Sequence, residues 1–267
     1  MVREWSVVVR IGVLVGVLAL SGCYEPEPKP KITGQESLVT LPPAQTPPAQ
    51  HQLMGRSVQG RAIMIQVLGR GGDTTLILGT IQGDEPAGAA LVEQLSEHLR
   101  KNPTLLDGRR VVLLPVANPD GLAARTRGNA HGVDLNRNFE ASNRVDNDTN
   151  GHSALTEPES QAIQKIIKEY GPSRIVSIHQ PSTSSEGIDF DGPARALATR
   201  MAQYCDLPIT KRGAEPGSLG SYAGEELKIP IITLELAKGV TKPNATALWE
   251  QYGRSLLAAI TYPEHPS

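Results

Sequence analysis

Five short runs rich in aliphatic and β-branched residues, at 62–68, 74–80, 110–116, 174–179 and 229–236, alternate with stretches of helical pattern. The helical stretches fall at 86–100, 156–170, 193–204 and 244–260. Runs of this length have the period and composition of strands, and a strand–helix alternation predicts an α/β fold on a parallel or mixed sheet. At 86–100 the apolar residues Ala89, Leu91, Val92, Leu95 and Leu99 recur near helical spacing, with Pro86 at the start where its missing N–H does no harm. Thr156 and Glu159 have the spacing of a capping box and open the next helix. Gly69, Gly71 and Gly72 separate the first two strands. Between 118 and 155 the chain is dense in Gly, Asn and Asp, and an irregular stretch of that length in a compact domain is usually functional. The polar residues able to do chemistry sit at or just after strand ends, where open α/β sheets place their ligands.

The first residues read as an address. Arg3 and Arg10 accompany an apolar core at 11–20, too short to span a bilayer, and Leu20-Ser21-Gly22-Cys23 follows. This resembles the lipobox of bacterial lipoproteins, which implies a signal peptide at 1–22, cleavage before Cys23, and a lipid on that cysteine as a membrane anchor. A stretch at 23–51, opening Tyr24-Glu25-Pro26-Glu27-Pro28-Lys29-Pro30, favours extended polyproline geometry and reads as a semi-stiff linker. The domain is expected at 52–262, with a tail at 263–267. Cys23 and Cys205 are the only cysteines, so a lipidated Cys23 leaves no partner for a disulfide. A net charge of −2 gives no sign of a nucleic-acid partner, and a monomer is expected.

Four segments carry chemistry. Thr80-Ile81-Gln82-Gly83-Asp84-Glu85 follows one strand; Asn118-Pro119-Asp120-Gly121 leads to Arg127 and then to Asp134-Leu135-Asn136-Arg137-Asn138-Phe139. Ser177-Ile178-His179 and Thr233-Leu234-Glu235 end two further strands. In this order they resemble the zinc carboxypeptidase family, most closely its short bacterial murein-peptide amidase branch. The resemblance implies a three-layer α/β/α domain with a central mixed sheet. It also implies zinc held by Gln82, Glu85 and His179, with Asp134 steadying the first ligand, Glu235 as general base, Arg127 on the oxyanion, and Asn136 and Arg137 on a substrate carboxylate. Gln82 departs from the histidine usual in the family. An amide oxygen is neutral and should hold zinc less firmly, but its NH₂ can still reach Asp134 as a ring N–H would.

The same resemblance, with export, implies hydrolysis of a peptidoglycan peptide between γ-D-glutamate and meso-diaminopimelate. The expected location is a periplasm-facing envelope site, on the outer membrane because Tyr24 rather than aspartate follows the anchor. Two other readings stay open: a metal-free lipoprotein that binds murein peptides, and a deacylase or general carboxypeptidase on this scaffold. His131 and His152 lie in the polar stretch as bystanders or substitute ligands. Tyr222 is a poor match for the mobile tyrosine of the digestive enzymes.

Overall fold

A computed structural model describes residues 49–180, 186–237 and 244–264. Cys23, the signal peptide and nearly all of the linker lie outside the described residues. The eight strands are β1 (Gln50–Arg56), β2 (Ala62–Gly69), β3 (Asp73–Gly79), β4 (Arg109–Leu114), β5 (Arg174–His179), β6 (Gly187–Asp191), β7 (Ile209–Thr210) and β8 (Ile231–Glu235). They form one sheet in the order β1-β2-β4-β3-β5-β8-β6-β7. The central run β4-β3-β5-β8 is parallel, while β1, β2 and the β6–β8 pairing are antiparallel, so the sheet is mixed. β5 is buried along its whole length and β3 nearly so, as expected for parallel strands covered on both faces.

One face carries α1 (Ala87–Lys101), α4 (Arg195–Ala202) and α5 (Ala245–Ile260), and the other carries α3 (Pro158–Tyr170). Ile77, Val176, Ile232 and Leu234 point to the three-helix side. Leu76, Leu78, Ile175 and Ile231 point to the α3 side, where Phe139 and Tyr222 stack with centroids 5.8 Å apart. The three-layer α/β/α arrangement with a central mixed sheet therefore holds. Among the described residues no helix is long and apolar enough to cross a membrane.

The boundaries shift for local reasons. β1 begins at Gln50, inside the expected linker, and β6 and β7 were not anticipated. β8 starts after Pro230, which lacks an N–H and instead accepts a hydrogen bond from Ile175 N at 2.9 Å. The capping box at Thr156–Glu159 does not form. Helix α3 begins at Pro158; Thr156 Oγ1 accepts from Asn138 Nδ2, and the Glu159 carboxylate accepts from Val58 N and Asn129 Nδ2. The polar stretch from Asn118 holds a short helix α2 (Pro119–Ala124), capped by Asn118 Oδ1 accepting from Gly121 N at 2.8 Å.

The N-terminal ends of the central strands are pinned by buried ions. Asp73 pairs with Arg109 at 3.1 Å and with Arg174 at 2.5 Å. Arg109 also donates to the carbonyls of Ile260, the last residue of α5, and of Thr261, Pro263 and Glu264 just after it. That end of the sheet is closed. The opposite end is open and carries the site.

Candidate active site

Strand period sets the floor of the open end. Side chains two apart share a face, so Ser177 and His179 of β5 lie beside Thr233 and Glu235 of β8, with His179 in register with Glu235. The next strand brings Asp189 opposite Thr233 and Asp191 opposite Ile231. All of these line one cleft of about 290 Å³, together with Gln82, Glu85, Arg127, Asn136, Arg137 and Arg212.

Gln82 and Glu85 enter from the turn after β3. Its first residue, Thr80, is β-branched yet adopts φ +53°, a left-handed conformation held by Thr80 Oγ1 donating to Glu85 O (3.2 Å) and Asn118 N donating to Thr80 O (2.9 Å). Gly83 is needed for close approach: a Cβ there would lie 2.0 Å from the Gly121 carbonyl carbon. Gly83 N also donates to Arg127 O at 3.2 Å, stitching this turn to the loop that follows α2.

The Gln82 side chain is 1% exposed, and its two ends have different fates. Nε2 donates to Asp134 Oδ1 at 3.0 Å, while Oε1 is buried with no hydrogen-bond partner among the described residues. Orphaned buried acceptors are costly and call for an explanation. Glu85 Oε2 accepts from Gln180 N at 2.9 Å and lies 3.2 Å from His179 Nδ1. The other ring nitrogen, Nε2, is 2.9 Å from Ser177 Oγ, a contact that fixes the ring orientation. Asp134 joins the two loops, since its Oδ2 accepts from Arg127 Nε at 2.9 Å. Arg127 Nη1 also lies 3.6 Å from Glu85 Oε1.

Electrostatics separate the two glutamates. Burial works against ionising Glu85, but His179, the Gln180 N–H and Arg127 together outweigh it and hold the carboxyl below its ordinary range. Burial dominates at Glu235 and raises it above the ordinary value, despite opposing pulls from His179 and Arg212. Glu235 Oε2 is buried without a hydrogen-bond partner among the described residues, and Oε1 is 3.6 Å from Arg212 Nη1. Two carboxylates with affinities pushed apart suit two different roles.

Along the rim, Asn136 Oδ1 accepts from Leu219 N at 2.9 Å, and Arg137 Nη1 donates to Asn136 O at 2.8 Å. Arg137 Nη2 lies 3.6 Å from Glu215. His131 and His152 do not line the cleft: His131 Nδ1 contacts Glu157 at 2.8 Å and His152 contacts Asp148 at 3.2 Å. Tyr222 is packed in the α3-side core and does not line the cleft either. Asp189, Asp191 and Arg212 were not singled out from sequence, and Ser177 was named in its segment without a role of its own. The alternation Ile188-Asp189-Phe190-Asp191 was the available signal, as was the two-residue spacing of Ser177 from His179.

Among the described residues no group of three or more His, Cys, Asp and Glu side chains could hold a metal. Gln82, Glu85 and His179 line the same cleft, and the Gln82 Oε1, orphaned among the described residues, adds an oxygen donor to the Glu85–His179 pair, a set that fits a cation.

A profile of the zinc carboxypeptidase family matches residues 44–185. Murein peptide amidase A of Escherichia coli K12 is 35% identical over 181 residues, which cover 61% of this chain and 71% of the relative. The crystal structure of a murein-tripeptide amidase from Escherichia coli O157 superposes with a TM-score of 0.62 at 25% identity, covering 85% of this chain and 98% of that one. Carboxypeptidase A of Helicoverpa armigera shares the fold, with a TM-score of 0.66 at 20% identity, 83% of this chain and 70% of that one being covered.

Proposed function

Because this chain belongs to the zinc carboxypeptidase family and is a peptide-hydrolysing enzyme, we propose that it cleaves murein peptides between γ-D-glutamate and meso-diaminopimelate. The observation that carries the reading is the buried Gln82 Oε1, which shares a cleft with Glu85 and His179, and a buried Glu235 oxygen in the same cleft, both without hydrogen-bond partners among the described residues. The substrate class rests on the similarity to murein peptide amidases.

Gln82 Oε1, Glu85 and His179 Nδ1 would hold zinc, and Asp134, by accepting from Gln82 Nε2, leaves the amide oxygen as the atom that would bind it. Zinc bound there supplies Lewis acidity, polarising the scissile carbonyl and acidifying water. Glu235 takes a proton from the attacking water and returns it to the leaving amine, a role suited to a carboxylate whose proton affinity burial has raised. Arg127, tethered by Asp134, donates to the oxygen that gains charge as the carbonyl carbon becomes tetrahedral. Asn136 and Arg137 grip the free carboxylate of the leaving residue, the planar guanidinium in bidentate fashion.

The test is digestion of L-Ala-γ-D-Glu-meso-diaminopimelate by the zinc-loaded protein, with products identified by mass spectrometry. Release of free meso-diaminopimelate is expected, with little cleavage of the same peptide carrying blocked carboxylates. An intact peptide, or a cut at the L-Ala bond, rules the reading out.

The reading extends to place. A lipid on Cys23 would tether the enzyme to the outer membrane beside its polymer substrate. Cys23→Ala should then shift the protein from the detergent phase to the aqueous phase on partitioning of cell envelopes. Equal partitioning of the two forms removes the anchor.

A further inference from the structure

An amide can present either an oxygen or a nitrogen to a cleft, and at Gln82 the surroundings decide which. Asp134 Oδ1 accepts from Gln82 Nε2 at 3.0 Å and from Asn136 N at 2.9 Å, and its Oδ2 accepts from Arg127 Nε at 2.9 Å. A flipped amide would set its oxygen against that carboxylate, acceptor to acceptor. The turn that carries Gln82 is held as well, by Thr80 Oγ1 donating to Glu85 O and Gly83 N donating to Arg127 O. The end left over is an oxygen, on a residue 1% exposed, with no hydrogen-bond partner among the described residues.

No nitrogen makes up for the imidazole that Gln82 replaces. Among the described residues His179 is the only histidine that lines the cleft, and no cysteine lines it. His131 and His152 lie outside it, against Glu157 and Asp148. The arginines of the cleft are cations and amide nitrogens are donors of hydrogen bonds, so the remaining side-chain ligand atoms of the wall are oxygens. The set offered to a metal is therefore two oxygens, from Gln82 and Glu85, and one nitrogen, His179 Nδ1.

Exchanging imidazole for an amide oxygen does not cost every ion equally. Imidazole suits zinc, whereas carboxylate, carbonyl and water suit manganese, a harder ion that loses little in the exchange. Zinc keeps the higher intrinsic affinity, but its lead depends on donor type and narrows with each nitrogen given up. We propose that Gln82 makes this a weakly discriminating divalent site that manganese can also occupy, so that metal supply around the enzyme decides which ion fills the cleft. The inference rests on the proposed reading of Gln82, Glu85 and His179 as the metal donors.

The experiment measures zinc and manganese binding separately on the chelator-stripped full chain. Zinc is read by competition with a chromogenic chelator, and manganese by loss of the electron paramagnetic resonance signal of the free ion. Gln82→His should tighten zinc at least about tenfold and manganese by less than about threefold, so the ratio of manganese Kd to zinc Kd widens. His179→Gln removes the last nitrogen and should weaken zinc at least about tenfold more than manganese. This second variant carries the test if circular dichroism shows that Gln82→His does not fold. A ratio in Gln82→His equal to or smaller than the wild-type ratio, with both ions still weakened by His179→Gln, overturns the selectivity and keeps the site. Binding of neither ion by the wild type, or binding indifferent to both substitutions, overturns the reading of the donors. A ratio that widens as expected in a protein that cuts no murein peptide overturns the proposed reaction and keeps the selectivity.

Discussion

At Asp191 the chain holds a carboxyl in a place that favours the protonated form, with an affinity near 6. A carboxyl whose folded-state value is raised above its unfolded value stabilises the fold at low pH, and that contribution is lost as pH rises through the folded value. The midpoint of thermal unfolding of Asp191→Asn should therefore exceed the wild-type value at pH 8 and approach it at pH 5. A difference independent of pH would show that Asp191 is neutralised by a partner already present. Glu235 is also raised by burial, and the proposed reaction makes it the group that moves a proton. Glu235→Gln should lower kcat by at least about a hundredfold while zinc content stays at the wild-type level. A metal-replete Glu235→Gln enzyme with ordinary turnover would remove this residue from the reaction. The two residues form a contrast: both are buried acids on one cleft floor, Glu235 in register with His179 and Asp191 four residues further along the strands.

The elements show why such residues can be held. The turn from Thr80 to Glu85 is fixed by a left-handed Thr80, by the Gly83–Arg127 backbone bond, and by the lack of a side chain at Gly83. Gly83→Ala drives a methyl into the backbone at Gly121 and should destabilise the fold by about 1–3 kcal/mol or more, the range for overpacking. Because the turn carries Gln82 and Glu85, zinc affinity should fall with it. Unchanged denaturation midpoint and zinc affinity in Gly83→Ala would contradict the close approach. What could be read in advance follows the same logic. β3, β4, β5 and β8 are buried runs whose aliphatic residues announce them, and their ends bring Gln82, Glu85, His179 and Glu235 to one cleft, as their order along the chain implies. β1, Gln50-His51-Gln52-Leu53-Met54-Gly55-Arg56, is a largely polar edge strand defined by pairing with β2. The capping residues of α3 were misread because tertiary partners from Asn138, Asn129 and Val58 claimed both side chains. Asp189, Asp191 and Arg212 form no motif, and their convergence depends on β6 pairing with β8, a non-local event.

At the scale of the molecule, the two ends of the sheet differ in kind. Asp73, Arg109 and Arg174 lock the strand starts to the chain after α5, so that end is complete without a ligand. The other end leaves the Gln82 and Glu235 oxygens buried without partners among the described residues. Zinc that binds only the folded chain stabilises it by mass action, about 2.7 kcal/mol at a hundredfold excess over Kd. For a domain of this size that corresponds to a rise in Tm of roughly 5–10 °C over the chelator-treated protein. If Gln82 Oε1 is a ligand, Gln82→Ala should shrink this shift. Gln82→His, with a stronger donor that can still give its second N–H to Asp134, should enlarge it at the same zinc concentration, by about 1.4 kcal/mol for each tenfold gain in affinity. His131→Ala and His152→Ala should leave the shift unchanged, since neither side chain lines the cleft. Calorimetry of the four variants with zinc and with chelator decides the matter. A shift indifferent to Gln82 would take the amide out of the metal site, and one lost with either histidine would move the site elsewhere.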